Sequence, residues 1–128
     1  MILQIAAVLN GAEVDAIRDA LRNDALWRDG AQTAKGRARA VKNNHHAASD
    51  HPVVKGVVEK ISRAILSHET IAAAAQPVAV ARLMLNRYET GMGYGAHVDA
   101  PYIDGVRTDV SFTLFLSNQD EYDGGDLV

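Results

Sequence analysis

Cysteine is absent from the 128 residues. That absence excludes a disulfide framework, a thiolate zinc site, an iron–sulfur cluster and a cysteine nucleophile, and it suits a reducing cytoplasm. A basic excess is missing as well: 13 Lys and Arg stand against 16 Asp and Glu, for a formal net charge of -3. Surfaces that hold nucleic acid are normally basic, so the expected partners are small molecules or proteins, not nucleic acid. No apolar run approaches the roughly 18 residues of a membrane span. The apolar stretch over residues 2–9 is broken by Gln4, has no Lys or Arg before it and leads into a polar helix start, so neither a membrane segment nor a signal peptide is expected. Internal repeats and low-complexity tracts are also lacking.

What is present is a globular composition, 48% apolar and 23% charged, at a length that holds one core. A single domain over 1–128 is expected, with 1–76 a mainly helical support and 77–128 given to strands. Residues 2–8 lean towards β. Asn10 followed by Glu13 is a capping-box variant that opens a helix over 11–23, and Val14, Ile17 and Leu21 form its inward stripe. Residues 28–50 read as loops with a short strand around 37–42. Ser49, Asp50 and Pro52 signal the start of a second helix over 52–67, whose stripe is Val54, Val57, Val58, Ile61, Ile65 and Leu66. A short Ala-rich stretch at 71–75 leads to Pro77, after which the period changes. Residues 78–88 read as a strand, and Gly91, Gly93 and Gly95 as a turn able to take positive φ near a site. Residues 97–99 read as a short extended piece. The alternation over 107–117 predicts a half-buried strand. Asp123, Gly124 and Gly125 turn the chain into a last strand beginning at 126.

The residues richest in chemistry are His97 and Asp99. On an extended segment, positions i and i+2 project to one side, close enough for an imidazole nitrogen and a carboxylate oxygen to share a divalent ion. A second histidine from a neighbouring strand would complete a 2-His-1-carboxylate triad, with adjacent positions on Fe(II) left open for a co-substrate and O₂. The plainer reading of an isolated H-x-D pair is a surface turn.

The strings NRYETGMGYGAHVDA, RTDVSFTLFLS and EYDGGDL, with the opening MILQIAAVLNGAEVDAIRDAL and Trp27, resemble the PKHD-type hydroxylases, relatives of the prolyl 4-hydroxylases among the Fe(II)- and 2-oxoglutarate-dependent dioxygenases. The resemblance implies an α+β fold: a double-stranded β-helix, or jelly roll, incomplete at the C-terminus and buttressed by N-terminal helices. It implies His97 and Asp99 as iron ligands, Fe(II) and 2-oxoglutarate as cofactor and co-substrate, and ascorbate as a further cofactor. It also implies a third ligand, a distal His, and a basic residue that grips 2-oxoglutarate, both well beyond the H-x-D. Only 29 residues follow Asp99 and none is His. The expectation is therefore the N-terminal part of such an enzyme, with weak metal binding and little turnover by itself.

Other candidates surround this pair. Tyr88 and Tyr94 flank the expected pocket, and related hydroxylases use a strand tyrosine to hydrogen-bond the co-substrate, a role assigned here to Tyr88. Arg107, ahead of Arg82 and Arg87, is the candidate for binding a carboxylate. Asp109 is a candidate for orienting a ligand histidine, with an exposed strand end as the simpler account. His45, His46, His51 and His68 precede the motif in regions read as loop or helix. Trp27 reads as a core anchor. Two other readings stand beside the hydroxylase: a non-catalytic jelly-roll module that forms a homo-oligomer through an exposed sheet edge, and a small His/Asp metal-binding protein. A hydroxylase would act in the cytoplasm on a small-molecule or peptidyl substrate that the sequence does not specify.

Overall fold

Helix α1 (Gly11–Ala20) starts where the capping box places it: Asn10 Oδ1 accepts from the Glu13 N–H at 2.8 Å, and Glu13 Oε1 accepts from the Asn10 N–H at 3.1 Å. Two of the N–H groups that a helix start leaves without partners are thus satisfied. The helix ends short of the expected 23, and a 3₁₀ turn at Asp24–Leu26 follows. In this computed structural model, which describes residues 1–127, residues 2–8 form no strand and run as exposed coil apart from the half-buried Ile5 and Val8. β propensity without a partner strand does not make a ladder.

Helix α3 (Pro52–Ser67) has the predicted bounds and buries Val54, Val57, Ile61 and Ile65. Its cap is His51, whose Nδ1 accepts from the Val53 N–H at 3.1 Å, so neither Ser49 nor Asp50 serves. The Ala-rich stretch is itself helical, as α4 (Glu69–Ala75), and stops at Gln76 in the left-handed region. The buried α3 face meets Leu9, Ile17, Leu21, Leu26 and Leu85 in one core. Trp27 lies half-buried against it, its Nε1–H donating to the Leu21 carbonyl at 3.0 Å.

The chain is α+β, with four α-helices and small antiparallel sheets among the described residues. Strand β1 (Trp27–Asp29) is followed by a short helix, α2 (Gly36–Ala40), which takes most of the segment expected as a strand. Strand β2 (Lys42–Asn43) begins at the last residue of that expected strand, and β3 (His45–Ala47) lies where a loop was expected. β3 pairs with β1 on one side and with β4 (Asn86–Arg87) on the other, while β2 pairs with β5 (Gly93–Tyr94). Residues 86–94 therefore run antiparallel beside 42–46, with Tyr88 to Met92 looped out opposite the single residue Asn44. The loop turns through a Met92 N–H to Glu89 carbonyl bond, and Gly91 takes φ +84.

The rest of the expected β half is sparse. Of residues 78–88 only Asn86–Arg87 joins a ladder, and residues 97–99 join none. The hairpin of β6 (Tyr102–Ile103) and β7 (Val106–Arg107) follows, but 108–117 joins no ladder among the described residues. Its alternation survives only near the end, where Leu114 and Leu116 rest on the core and Phe115 between them is exposed; Val110 and Phe112, on the same predicted face as the two leucines, are exposed. Gly124 and Gly125 make the expected turn with positive φ, and the strand begun at 126 has no ladder through Leu127, Val128 lying outside the described residues. Among the described residues no barrel closes.

The register of α3 sets a test. Ile61, 2% exposed, should cost about 2–5 kcal/mol when changed to Ala, because its site cannot fully collapse. Leu66, 39% exposed, should cost under about 1 kcal/mol. Urea unfolding of both variants checks the orientation, and equal losses would contradict it.

Candidate metal centre

His97 and Asp99 come together. His97 Nε2 lies 3.2 Å from Asp99 Oδ1, so the i, i+2 pair meets on one side of the chain although no strand is formed there. The ring is held from its other edge, with Nδ1 2.7 Å from the Gly95 carbonyl. Its face is stacked on Tyr94 at 3.7 Å between centroids and 9° between planes. A carbonyl oxygen only accepts, so the Nδ1 proton belongs on that bond and the Nε2 lone pair faces the carboxylate. Lone pair against carboxylate is repulsive unless a cation stands between them, either a second proton or a metal ion.

The local sequence builds this arrangement. Gly95 N–H donates to the Val41 carbonyl at 2.9 Å, extending the β2–β5 pairing by one residue and fixing the carbonyl that holds His97. A Cβ at Gly95 would stand 2.9 Å from Val41 Cβ, so close approach, not backbone sign, requires glycine here. Only Gly91 of the three turn glycines takes positive φ. Tyr94 sits opposite Lys42 in the ladder, and Lys42 Nζ stands 5.1 Å from the Tyr94 ring centroid. Burial, with the Asp99 charge second, pushes the Tyr94 hydroxyl above its ordinary value, which keeps it protonated. Asn44, 2% exposed, donates from Nδ2 to the Tyr88 hydroxyl oxygen at 2.9 Å. Sequence reasoning passed over Lys42, at the end of the expected short strand, and Asn44, in a stretch that reads as loop.

The remaining candidates are dispersed. Arg107 Nε donates to Asp109 Oδ1 at 2.6 Å in an exposed pair, so Asp109 holds an arginine and not a histidine. Thr108 ties that hairpin to the residues after Asp99, through its N–H to the Pro101 carbonyl and its hydroxyl to the Ala100 carbonyl. Arg87 stacks over Trp27 and pairs with Asp24 and Glu89, while Arg82 is exposed. His45 and His46 lie on strand β3, where consecutive side chains take opposite faces; Nδ1 of each is buried without a partner. His51 caps α3. Among the described residues no three His, Asp or Glu side chains gather as a metal-holding group, so the pair has no third side-chain donor beside it. No helix among them is long and apolar enough to cross a membrane.

Comparison with known proteins gives a consistent family of relatives. A PKHD-type hydroxylase of Acaryochloris marina is 40% identical over 127 residues, covering 99% of this chain. One of Maricaulis maris is 38% identical over 128 residues, and one of Gluconobacter oxydans 42% over 134 residues, each covering 100% of the chain. The chain spans only 58–59% of the length of these curated relatives. No family model matches the chain. No solved structure matches it.

The β3 histidines generate a pH test. Burial, and next the Lys42 charge, push the His46 imidazole below its ordinary 6.5, so the folded chain resists a proton that the unfolded chain accepts. His46 should therefore cost nothing above that value and should reduce stability as the pH falls through it, levelling off below the folded value. Urea midpoints at about pH 7.5 and about pH 5.5 should show a smaller acid loss in His46→Gln than in the parent. An unchanged loss would contradict this assignment.

Proposed function

We propose, for a chain that along its whole length is the counterpart of the N-terminal part of the PKHD-type hydroxylases, that it carries the His–Asp half of a ferrous site in a 2-oxoglutarate-dependent hydroxylase of C–H bonds. The observation that carries this reading is the 3.2 Å approach of His97 Nε2 to Asp99 Oδ1, with Nδ1 engaged on the far side. Two donors each about 2.1 Å from one ion and at right angles to it are about 3.0 Å apart, close to the spacing found. A nitrogen and a carboxylate oxygen are also the donor types that such an iron takes.

Bound iron, with 2-oxoglutarate and O₂, supplies the oxidising power. The residues of this chain do the rest. The Gly95 carbonyl keeps the proton on Nδ1 and so leaves Nε2 basic. Tyr94 fixes the plane of the ring, and Asp99 supplies the anionic oxygen. Tyr88 is the proposed hydrogen-bond donor to the co-substrate: its oxygen accepts from Asn44, which leaves its proton for a carboxylate. Arg107 has to leave Asp109 before it can serve as a second carboxylate ligand. In the proposed fold, the strands around the pair begin a jelly roll and the helical core buttresses it. The third donor and the basic clamp come from outside these 128 residues, the substrate is a small molecule or a peptide, and the site of action is the cytoplasm.

Anaerobic addition of Fe(II) to the chain, followed by calorimetry, should show weak uptake. His97→Ala should abolish it, and Tyr94→Leu should weaken it roughly tenfold by releasing the ring. Subsequent 2-oxoglutarate should produce a weak visible charge-transfer band. Uptake that survives His97→Ala would overturn the assignment.

A further inference from the structure

The basic residues of this acidic chain are unevenly placed. Residues 28–42 carry Arg28, Lys35, Arg37, Arg39 and Lys42 against the single carboxylate of Asp29, a net +4 that leaves -7 for the rest of the chain. The Asp29 carboxylate is already engaged, since Oδ1 accepts from the Ala31 N–H at 2.9 Å. Lys42 is buried and turned to Thr33. Arg28, Lys35, Arg37 and Arg39 are exposed, and among the described residues none of the four lies within ion-pair distance of a carboxylate. Elsewhere Arg18, Arg22, Arg63, Arg87 and Arg107 each have such a partner. Helix α2 buries no residue, has no side-chain cap and consists of Gly, Arg and Ala alone, so it adds nothing to the core. What it does is hold cations at the surface, and like charges gathered without partners repel one another.

This cationic surface borders the candidate centre. α2 and β2 both pack on the turn Gly30–Thr33, and Val41, which closes α2, accepts through its carbonyl from the Gly95 N–H at 2.9 Å. The Gly95 carbonyl in turn meets His97 Nδ1 at 2.7 Å, so the end of α2 stands two hydrogen bonds from the His97 ring. We infer that the exposed cations of residues 28–39 form the docking surface for an acidic peptide substrate, whose carboxylates supply the missing counter-charge. That the peptide is the substrate rests on the reading of His97 and Asp99 above; that the surface takes an acidic peptide does not. Charge complementarity is local here, and a short peptide suits it. A long polyanion such as nucleic acid would run onto a remainder of charge -7, and residues 28–42 hold no aromatic ring on which a base could stack. A membrane surface fits poorly as well, because α2 has no bulky apolar side chain to enter it.

Fluorescence anisotropy of labelled hexaglutamate with the metal-free chain tests the inference without relying on metal uptake. The peptide should bind at low salt and weaken as salt rises, because exposed charges are screened beyond about 10 Å at about 0.1 M. Hexaglutamine should not bind. Arg37→Glu with Arg39→Glu should weaken hexaglutamate roughly tenfold or more, while Lys55→Glu with Lys60→Glu, the same change of net charge on exposed positions of α3, should weaken it less than about twofold. If the α2 pair does not fold, Arg37→Gln with Arg39→Gln decides, with a several-fold loss expected. Amide shifts should fall on α2 and reach Gly95. Absence of binding, equal losses from the α2 and α3 pairs, or shifts confined to other elements overturns the proposal. So does a single-stranded oligothymidylate that binds more tightly than hexaglutamate through the same arginines, which would assign the surface to nucleic acid. If Fe(II) uptake fails while hexaglutamate binds as expected, the hydroxylase reading falls and the acidic-peptide surface stands without a substrate role. If Fe(II) uptake depends on His97 while hexaglutamate does not bind, only this inference falls.

Discussion

Residues 42–47 share their backbone between two sheets, and the position of every group near the candidate centre follows from that. β3 binds this segment to the helical core through β1 and β4. β2 binds it to β5, the strand that leads to His97. Between them Asn44 is almost fully buried, its backbone carbonyl accepting from Gly30 N–H at 2.8 Å and its side chain reaching Tyr88. A Cβ on Gly30 would overlap Asn44 Oδ1, so the turn before α2 needs glycine for this contact to exist. Rigid helices thus position a site that lies on short strands and a loop.

Within that frame the His97 ring is oriented by groups other than Asp99. One edge of the His97 ring meets a carbonyl and one face meets a phenol, which leaves the second nitrogen aimed at Asp99. The Asp99 side chain is 68% exposed, so the pair opens to solvent. Lys42, behind Tyr94, gives the neighbourhood a positive charge opposite in sign to that of the whole chain, whose formal net charge is -3.

The helical half was legible in the sequence because helix signals are local: the Asn10–Glu13 box and the spacing of Val54, Val57, Ile61 and Ile65 need no distant partner. The β half was less so. Alternation over 108–117 marks Val110, Phe112, Leu114 and Leu116 as one face, of which only Leu114 and Leu116 reach the core, because a ladder needs a neighbouring strand that alternation cannot supply. The i, i+2 spacing of His97 and Asp99 pointed to one side of the chain, and the two groups meet there although residues 97–99 form no strand. Lys42 and Asn44 were not legible, since a buried polar residue and a loop residue look alike until the strand pairing is known. Arg107 and Asp109 each had a candidate role on paper, and their bond to one another depends on a turn that composition does not specify.

The account stands on the orientation of one imidazole, and its tautomer reports that directly. Long-range ¹H–¹⁵N spectra of the histidine side chains, recorded with Zn(II) as a diamagnetic stand-in for the cation between His97 and Asp99, should show the His97 proton on Nδ1, held by the Gly95 carbonyl, and Nε2 shifted by the ion. A His97 ring protonated on Nε2, with Nδ1 bare, would contradict the account.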